Sequence, residues 1–292
     1  MRKTKGTVVK QSLGDRIYSV IVYVILIAFS ICALYPFLHV IAVSLSGENY
    51  VARGAITIIP KGLNVRAYKE VFQNPNILIG YKNTIYVTVL NVILGVIVTA
   101  MTAYPLSKKN LPGKTAFTIF VCITMWFQAG MIPQFLVMKK LGLINSLIGL
   151  ILAQLTSGYN VIVMKNFFMG IPDSLEESAK LDGANDMQVL FKIVVPLSKP
   201  IMSTVALWLA VASWNNFFQP MMYLIDNEKY TLQIFLRDIV LNANVNYEET
   251  GSGMTDMIKY ATIMVATLPI LVAYPFVQKY FVKGTLVGAV KE

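Results

Sequence analysis

Six stretches of the chain are apolar for long enough to cross a lipid bilayer, and no other feature of the sequence limits its fold as tightly. They run approximately over residues 17–46, 84–106, 115–138, 146–169, 200–224 and 258–281. A spanning helix needs about 20 mostly apolar residues, and helices are favoured in lipid because they satisfy their backbone N–H and C=O groups internally. Only 14% of the 292 residues are charged and mean hydropathy is +0.61, where a soluble domain carries roughly 25% charge. These values exclude a disordered tail, a disulfide scaffold and a conventional soluble enzyme. The first stretch follows a basic start (Arg2, Lys3, Lys5, Lys10, Arg16), as a secretory signal would. From Ile17 to Leu45 it is far longer than the roughly 7–15-residue apolar core of a signal peptide. It therefore reads as a retained span, kinked near Tyr35-Pro36. The expected fold is an all-α integral membrane protein of six transmembrane helices. Residues 1–16 form an N-terminal segment, 17–281 the membrane domain and 282–292 a C-terminal tail.

Net charge is +10, so the location of the basic residues decides between nucleic acid and membrane topology. Lysines and arginines crowd the N-terminus, the short hairpin Ser107–Lys114 (Lys108, Lys109, Lys114) and the C-terminus (Lys279, Lys283, Lys291). This bias places both termini in the cytoplasm of a multi-pass cell-membrane protein, with Lys139 and Lys140 as mild exceptions. The charge follows topology, and nucleic-acid binding is disfavoured. Two outer loops, roughly 47–83 and 225–257, are long enough to hold short surface helices. Cys32 and Cys122 lie inside apolar runs without metal spacing. His39, the only histidine, reads as a neutral ring bonded to nearby backbone rather than a ligand. No P-loop, HExxH or nucleophile elbow occurs. The chain is expected to bind no metal or cofactor and to catalyse no reaction itself.

One inner loop is too long and too patterned for a plain connection. It covers 170–199. Ser174 followed by Glu177 reads as a capping box for a helix to about Leu181. Gly183 supplies a helix stop, Asn185 can cap a second helix to about Val195, and Pro196 and Pro200 end it. Met187, Leu190, Phe191 and Val194 fall at helical spacing. Such a stripe either seeks a partner's groove or lies on the chain's own helix ends.

This segment resembles the EAA loop of ABC-importer permeases of the carbohydrate-uptake, maltose-type family. Glu177, Ala179, Asp182, Gly183, Ala184, Phe191, Ile193 and Pro196 match that motif, with Ser178 in place of an alanine and Val195 in place of a leucine. The Trp214-Asn215-Asn216-Phe217 stretch and the tail Gln278–Gly284 are also similar to the family. More loosely, the chain resembles permeases for oligosaccharides from acidic plant or algal polysaccharides, of alginate or pectin type. The resemblance implies a type I importer fold and alternating access driven by ATP hydrolysis on partner chains. Those partners are a second, similar permease, two ATP-binding subunits carrying ATP and Mg, and an extracytoplasmic binding protein. Glu177, Ser178, Ala179, Asp182, Gly183, Ala184, Phe191, Ile193 and Pro196 would then form the ATPase-coupling site.

A sugar path needs polar groups and aromatic faces inside the bundle. Ser213, Trp214, Asn215, Asn216 and Gln219 supply them on the fifth span, Trp126, Gln128 and Gln134 on the third, and Asn91 on the second. Amides in lipid are expensive and face inward, though they serve equally as interhelical hydrogen bonds. Rival readings are the same architecture with a sugar-phosphate or peptide cargo, and a membrane scaffold without transport.

Overall fold

A computed structural model describes residues 12–127, 129–242 and 252–289, with backbone only at 242, 252, 273–274 and 276–289. Among the described residues the secondary structure is helical throughout. Three helices are each long and apolar enough to cross a membrane, and three bent helix pairs bring the number of candidate spans to six. By contacts the chain divides into two compact units, Met1–Glu70 with Ala243–Met264, and Val71–Asn242 with Val265–Glu292.

In the first unit, α1 (Leu13–Ser44) starts on a capping box formed by Ser12 and Asp15. It begins four residues before the predicted edge of the span and runs unbroken through Pro36, so the predicted kink does not form a break. Almost all of α1 is exposed; only Ala42, Val43 and Ser44 are buried. Ala42 and Val43 pack with Ile56, and Val51 and Tyr260 join them. His39 bonds backbone, as the sequence suggests. Its Nδ1 lies 2.8 Å from the Thr57 carbonyl, and its ring stacks on Tyr35. Short α2 (Glu48–Ala52) and α3 (Arg66–Gln73) occupy the first long loop.

The second unit is built around α4 (Pro75–Ser107), which starts at Pro75 rather than near 84. The buried face of α4 carries Gly80, Asn83, Thr84, Val87, Asn91, Gly95, Thr99 and Ala103 at helical spacing. Its exposed face carries Leu78, Ile85, Val89, Ile93 and Ile97. Small and polar residues inside with bulky apolar ones outside is the pattern of a helix packed in lipid, where close backbone approach and interhelical bonds replace the hydrophobic effect. Gly95 shows the constraint: a Cβ there would strike the Leu155 carbonyl and sit 2.8 Å from Leu209 Cδ1.

Around α4 lie α5 (Lys114–Trp126), α6 (Met131–Lys140), α7 (Leu147–Ala153) and α8 (Gly158–Phe168). Next come α9 (Asp173–Leu181), α10 (Asp186–Val189), a π-helical turn Leu190–Val194 and α11 (Val195–Leu197). Then follow α12 (Lys199–Trp214), α13 (Phe218–Tyr223) and α14 (Leu232–Asn242). Helix α15 (Ser252–Ala289) runs from the first unit into the second and extends past the predicted end at 281. The predicted spans thus differ in continuity. The pair α7/α8 bends by 58°, and the segment Asp186–Leu197 meets α12 at 87°. The predicted span 200–224 is broken again between Trp214 and Phe218.

Candidate functional site

Two arrangements concentrate the polar chemistry of the second unit. The first is the knob formed by α9, α10, the π turn and α11. Helix α9 ends at Gly183, whose φ of +87° a residue with a Cβ adopts only with strain. The Ala184 N–H donates to the Ala179 carbonyl at 2.9 Å and the Gly183 N–H to Lys180 at 3.0 Å. This is the paired closure of a Schellman motif. Asn185 then caps α10 in a capping box with Gln188. Lys180 and Asp186 bridge the elbow at 2.8 Å, which holds the lysine's pKa above its usual value.

The expected capping box at Ser174 is not formed. Pro172 stands at the N-cap without a side-chain donor or acceptor, so the helix begins at Asp173 and Ser174 falls inside its first turn. The Ser174 carbonyl instead accepts from Ser178 Oγ at 2.9 Å. Glu177 is therefore no cap. Glu177, Ser178, Asp182, Gly183 and Pro196 are exposed, whereas Ala179, Ala184 and Ile193 are half-buried. The predicted apolar stripe divides. Leu190 and Val194, with Val189, join a core of α4, α8 and α12 residues that includes Ala100, Tyr104, Met164 and Val205. Met187 and Phe191 remain 51% and 43% exposed, and Leu181 at the tip is 89% exposed. The knob is thus rooted on one face and bare on the other.

Sequence reasoning missed Glu176. It is buried, ion-paired with Lys108, and accepts from the Tyr104 hydroxyl at 3.3 Å. Beside it Lys109 meets Asp173 at 2.8 Å and holds that carboxyl below the usual range. The available signal was two acids three residues apart and a lysine pair on the preceding hairpin.

The second arrangement lies where two broken spans meet. The breaks at 154–157 and 215–217 are joined by side-chain amides. Asn216 Nδ2 donates to Gln154 Oε1 at 2.8 Å and to Gln219 Oε1 at 2.7 Å, and Gln154 Nε2 reaches Ser213 Oγ at 3.5 Å. Thr99 and Thr156 hydroxyls meet at 2.7 Å beside them. Of the predicted pathway residues, Ser213, Asn216 and Gln219 are brought together, and Gln154 is the member the sequence did not single out. Trp214 is instead buried, its Nε1 donating to the Ala266 carbonyl at 3.3 Å and its ring edge-on to Tyr81. Asn215 is exposed and bonds its own helix at Val211. Trp126 is 81% exposed at the end of α5, away from this group's bonds. Gln134 is exposed, and Gln128 lies outside the described residues. Asn91 is buried with Oδ1 lacking a partner among the described residues. Among these residues no cluster of His, Cys, Asp or Glu is arranged to hold a metal.

Residues 8–287 match the family described as the binding-protein-dependent transport system inner membrane component. The chain is 40% identical over 285 residues to the polygalacturonan/rhamnogalacturonan transport system permease protein of Bacillus subtilis, covering 96% of this chain and all of that one. It is 29% identical over 266 residues to the arabinooligosaccharides transport system permease protein of Halalkalibacterium halodurans, covering 89% and 91% of the two chains. It superposes with a TM-score of 0.88 and 37% identity on a chain of a bacterial ABC transporter involved in the import of the acidic polysaccharide alginate, covering 93% and 99%.

Proposed function

Because the chain belongs to the family of binding-protein-dependent transport system inner membrane components, and is thus a transport permease subunit of the inner membrane, we propose that it carries an oligosaccharide inward through an ABC importer. The cargo class follows the names of its relatives: polygalacturonan/rhamnogalacturonan, arabinooligosaccharides and alginate. Fragments of acidic polysaccharides are the first cargo to test. Residues 17–281 would serve as the permease domain, with 1–16 and 282–292 in the cytoplasm.

The observation that carries the coupling role is the knob's bare face. Leu181, Met187 and Phe191 are apolar and exposed on a segment whose other face is fixed in the core. Apolar groups held out on a rigid support fit a partner's groove. That partner would be an ATP-binding subunit, because this chain contains no P-loop of its own. Glu177, Ser178 and Asp182 would flank the contact, Gly183 would set the elbow angle, and Ala179, Ala184 and Ile193 would seat the knob.

A second, similar permease is supported by α1, whose most apolar stretch contains no residue buried within the chain. A half-enclosed path is also consistent with the amides of Gln154, Asn216 and Gln219. Breaks in spanning helices expose polar backbone only where protein or water covers it, and transporters place cargo at such breaks. An extracytoplasmic binding protein would deliver cargo onto the opposite side of the membrane. Pull-down of the chain in mild detergent tests the assembly. An ATP-binding chain is expected in the complex, and its loss is expected on Leu181→Asp. Recovery of the permease without any ATP-binding chain contradicts the proposal.

A further inference from the structure

Two adjacent lysines at the end of α4 hold the knob by two acids of α9. Lys108 Nζ is paired with Glu176 Oε1 and Lys109 Nζ with Asp173 Oδ2. Asp173 and Glu176 are three residues apart, so one helix face presents both carboxylates. The two pairs differ in kind. The Lys109 and Asp173 side chains are 82% and 63% exposed, those of Lys108 and Glu176 only 29% and 11%. Tyr104 completes the inner pair. Its hydroxyl donates to Glu176 Oε2 at 3.3 Å, and its ring centroid lies 4.2 Å from Lys108 Nζ. Both oxygens of Glu176 are thus engaged by residues at the end of α4. A carboxylate is kept in such a place only with partners, and an apolar residue would fill it at less cost in desolvation. What the charge adds is resistance to separation, since parting the pair leaves each charge uncompensated.

The opposite half of the knob stands off the hairpin. A cleft of about 440 Å³ lies between Leu111 and Pro112 on one side and Asp186 and Met187 on the other. The knob is therefore pinned to the hairpin by Asp173 and Glu176, with the cleft opening at Asp186 and Met187 while Val189 and Leu190 stay in the core. We propose that Glu176, Lys108 and Tyr104 are the joint through which movement of the knob reaches α4. That helix packs against α7, α8, α12 and α14, so displacement at its end reaches both broken spans. The inference rests on the coupling role given to the knob. All three are positioning residues, and none touches cargo or nucleotide.

The test uses the full importer reconstituted in phospholipid vesicles, with cargo transported per ATP hydrolysed as the readout. The variants are Glu176→Gln, Lys108→Met, the exchange Lys108→Glu with Glu176→Lys, and Lys109→Met. Either single change of the inner pair is expected to lower the ratio roughly tenfold, with the exchange restoring it to within about threefold. Lys109→Met is expected to leave it unchanged. Loss of protein alone lowers transport and hydrolysis together and keeps the ratio. An unchanged ratio in the singles, or an exchange that restores nothing, overturns the joint. Tyr104→Phe keeps the ring and its volume, and reads the joint where charge variants fail to assemble: a lowered ratio supports it and an unchanged one overturns it. The unaltered complex separates the two ideas. If its hydrolysis ignores cargo, the coupling role itself fails before any variant is compared.

Discussion

Glu176 and Glu177 are neighbours in the chain and have opposite surroundings. Glu176 is buried against Lys108 and Tyr104, and Glu177 is exposed. Removing one partner of a buried pair leaves the other uncompensated. Glu176→Ala should therefore destabilise the chain by about 2 kcal/mol, below the roughly 3–5 kcal/mol of a fully buried pair because Lys108 keeps some contact with water. Glu177→Ala should leave the unfolding temperature unchanged and weaken only association with the ATP-binding subunit; thermal unfolding in detergent separates the two. Motif matching found Glu177 but not Glu176, because the environment of Glu176 is made by a lysine 68 positions away in the chain. Acid sensitivity has the same local origin. Asp226 is held below the usual carboxylate range by Lys229 and Asn145, as Asp173 is by Lys109. A depressed carboxylate contributes stability above its unfolded pKa and loses it as pH falls through the folded value. Stability measured against pH should fall below about pH 4, and Asp226→Asn should flatten part of that fall.

The elements show where apolar patterning informs and where it does not. Six candidate spans are legible because roughly 20 apolar residues have few other uses. Their breaks are not legible. Gln154–Ser157 contains neither Gly nor Pro; Ser157 caps α8 there, and Asn216 and Ser213 on another element bond Gln154. The knob's stripe was half legible: Leu190 and Val194 turn into the core, while Met187 and Phe191 keep the open side. Periodicity gives a face, but tertiary packing decides what covers it. Gly183 and Asn185 were legible because a left-handed elbow and an N-cap are local demands. Close helix packing yields a further expectation. Gly95→Ala should destabilise by about 1–3 kcal/mol, since α4 must withdraw from the Leu155 carbonyl and Leu209. A Gly95→Ala chain that unfolds at the unaltered temperature would contradict the close approach of α4 to the break.

As a whole molecule the chain looks made for assembly. Ile17 to Leu34 on α1 present an almost continuous exposed apolar surface, and Cys32 lies on it exposed while Cys122 on α5 is half-buried. In the assembled importer a second permease should cover part of α1. Alkylation of Cys32 by a membrane-permeant maleimide should then slow relative to the chain expressed alone, with Cys122 as internal reference; equal rates would place α1 against lipid. The scaffold reading explains neither the bare knob nor the family match. The coupling role of the knob is the claim on which the rest depends. Its most direct test is cargo-stimulated ATP hydrolysis by the reconstituted importer carrying Gly183→Val, a β-branched residue forced to φ near +87°. The account predicts loss of stimulation with the spans still folded and basal hydrolysis retained, and stimulation equal to that of the unaltered importer would contradict it.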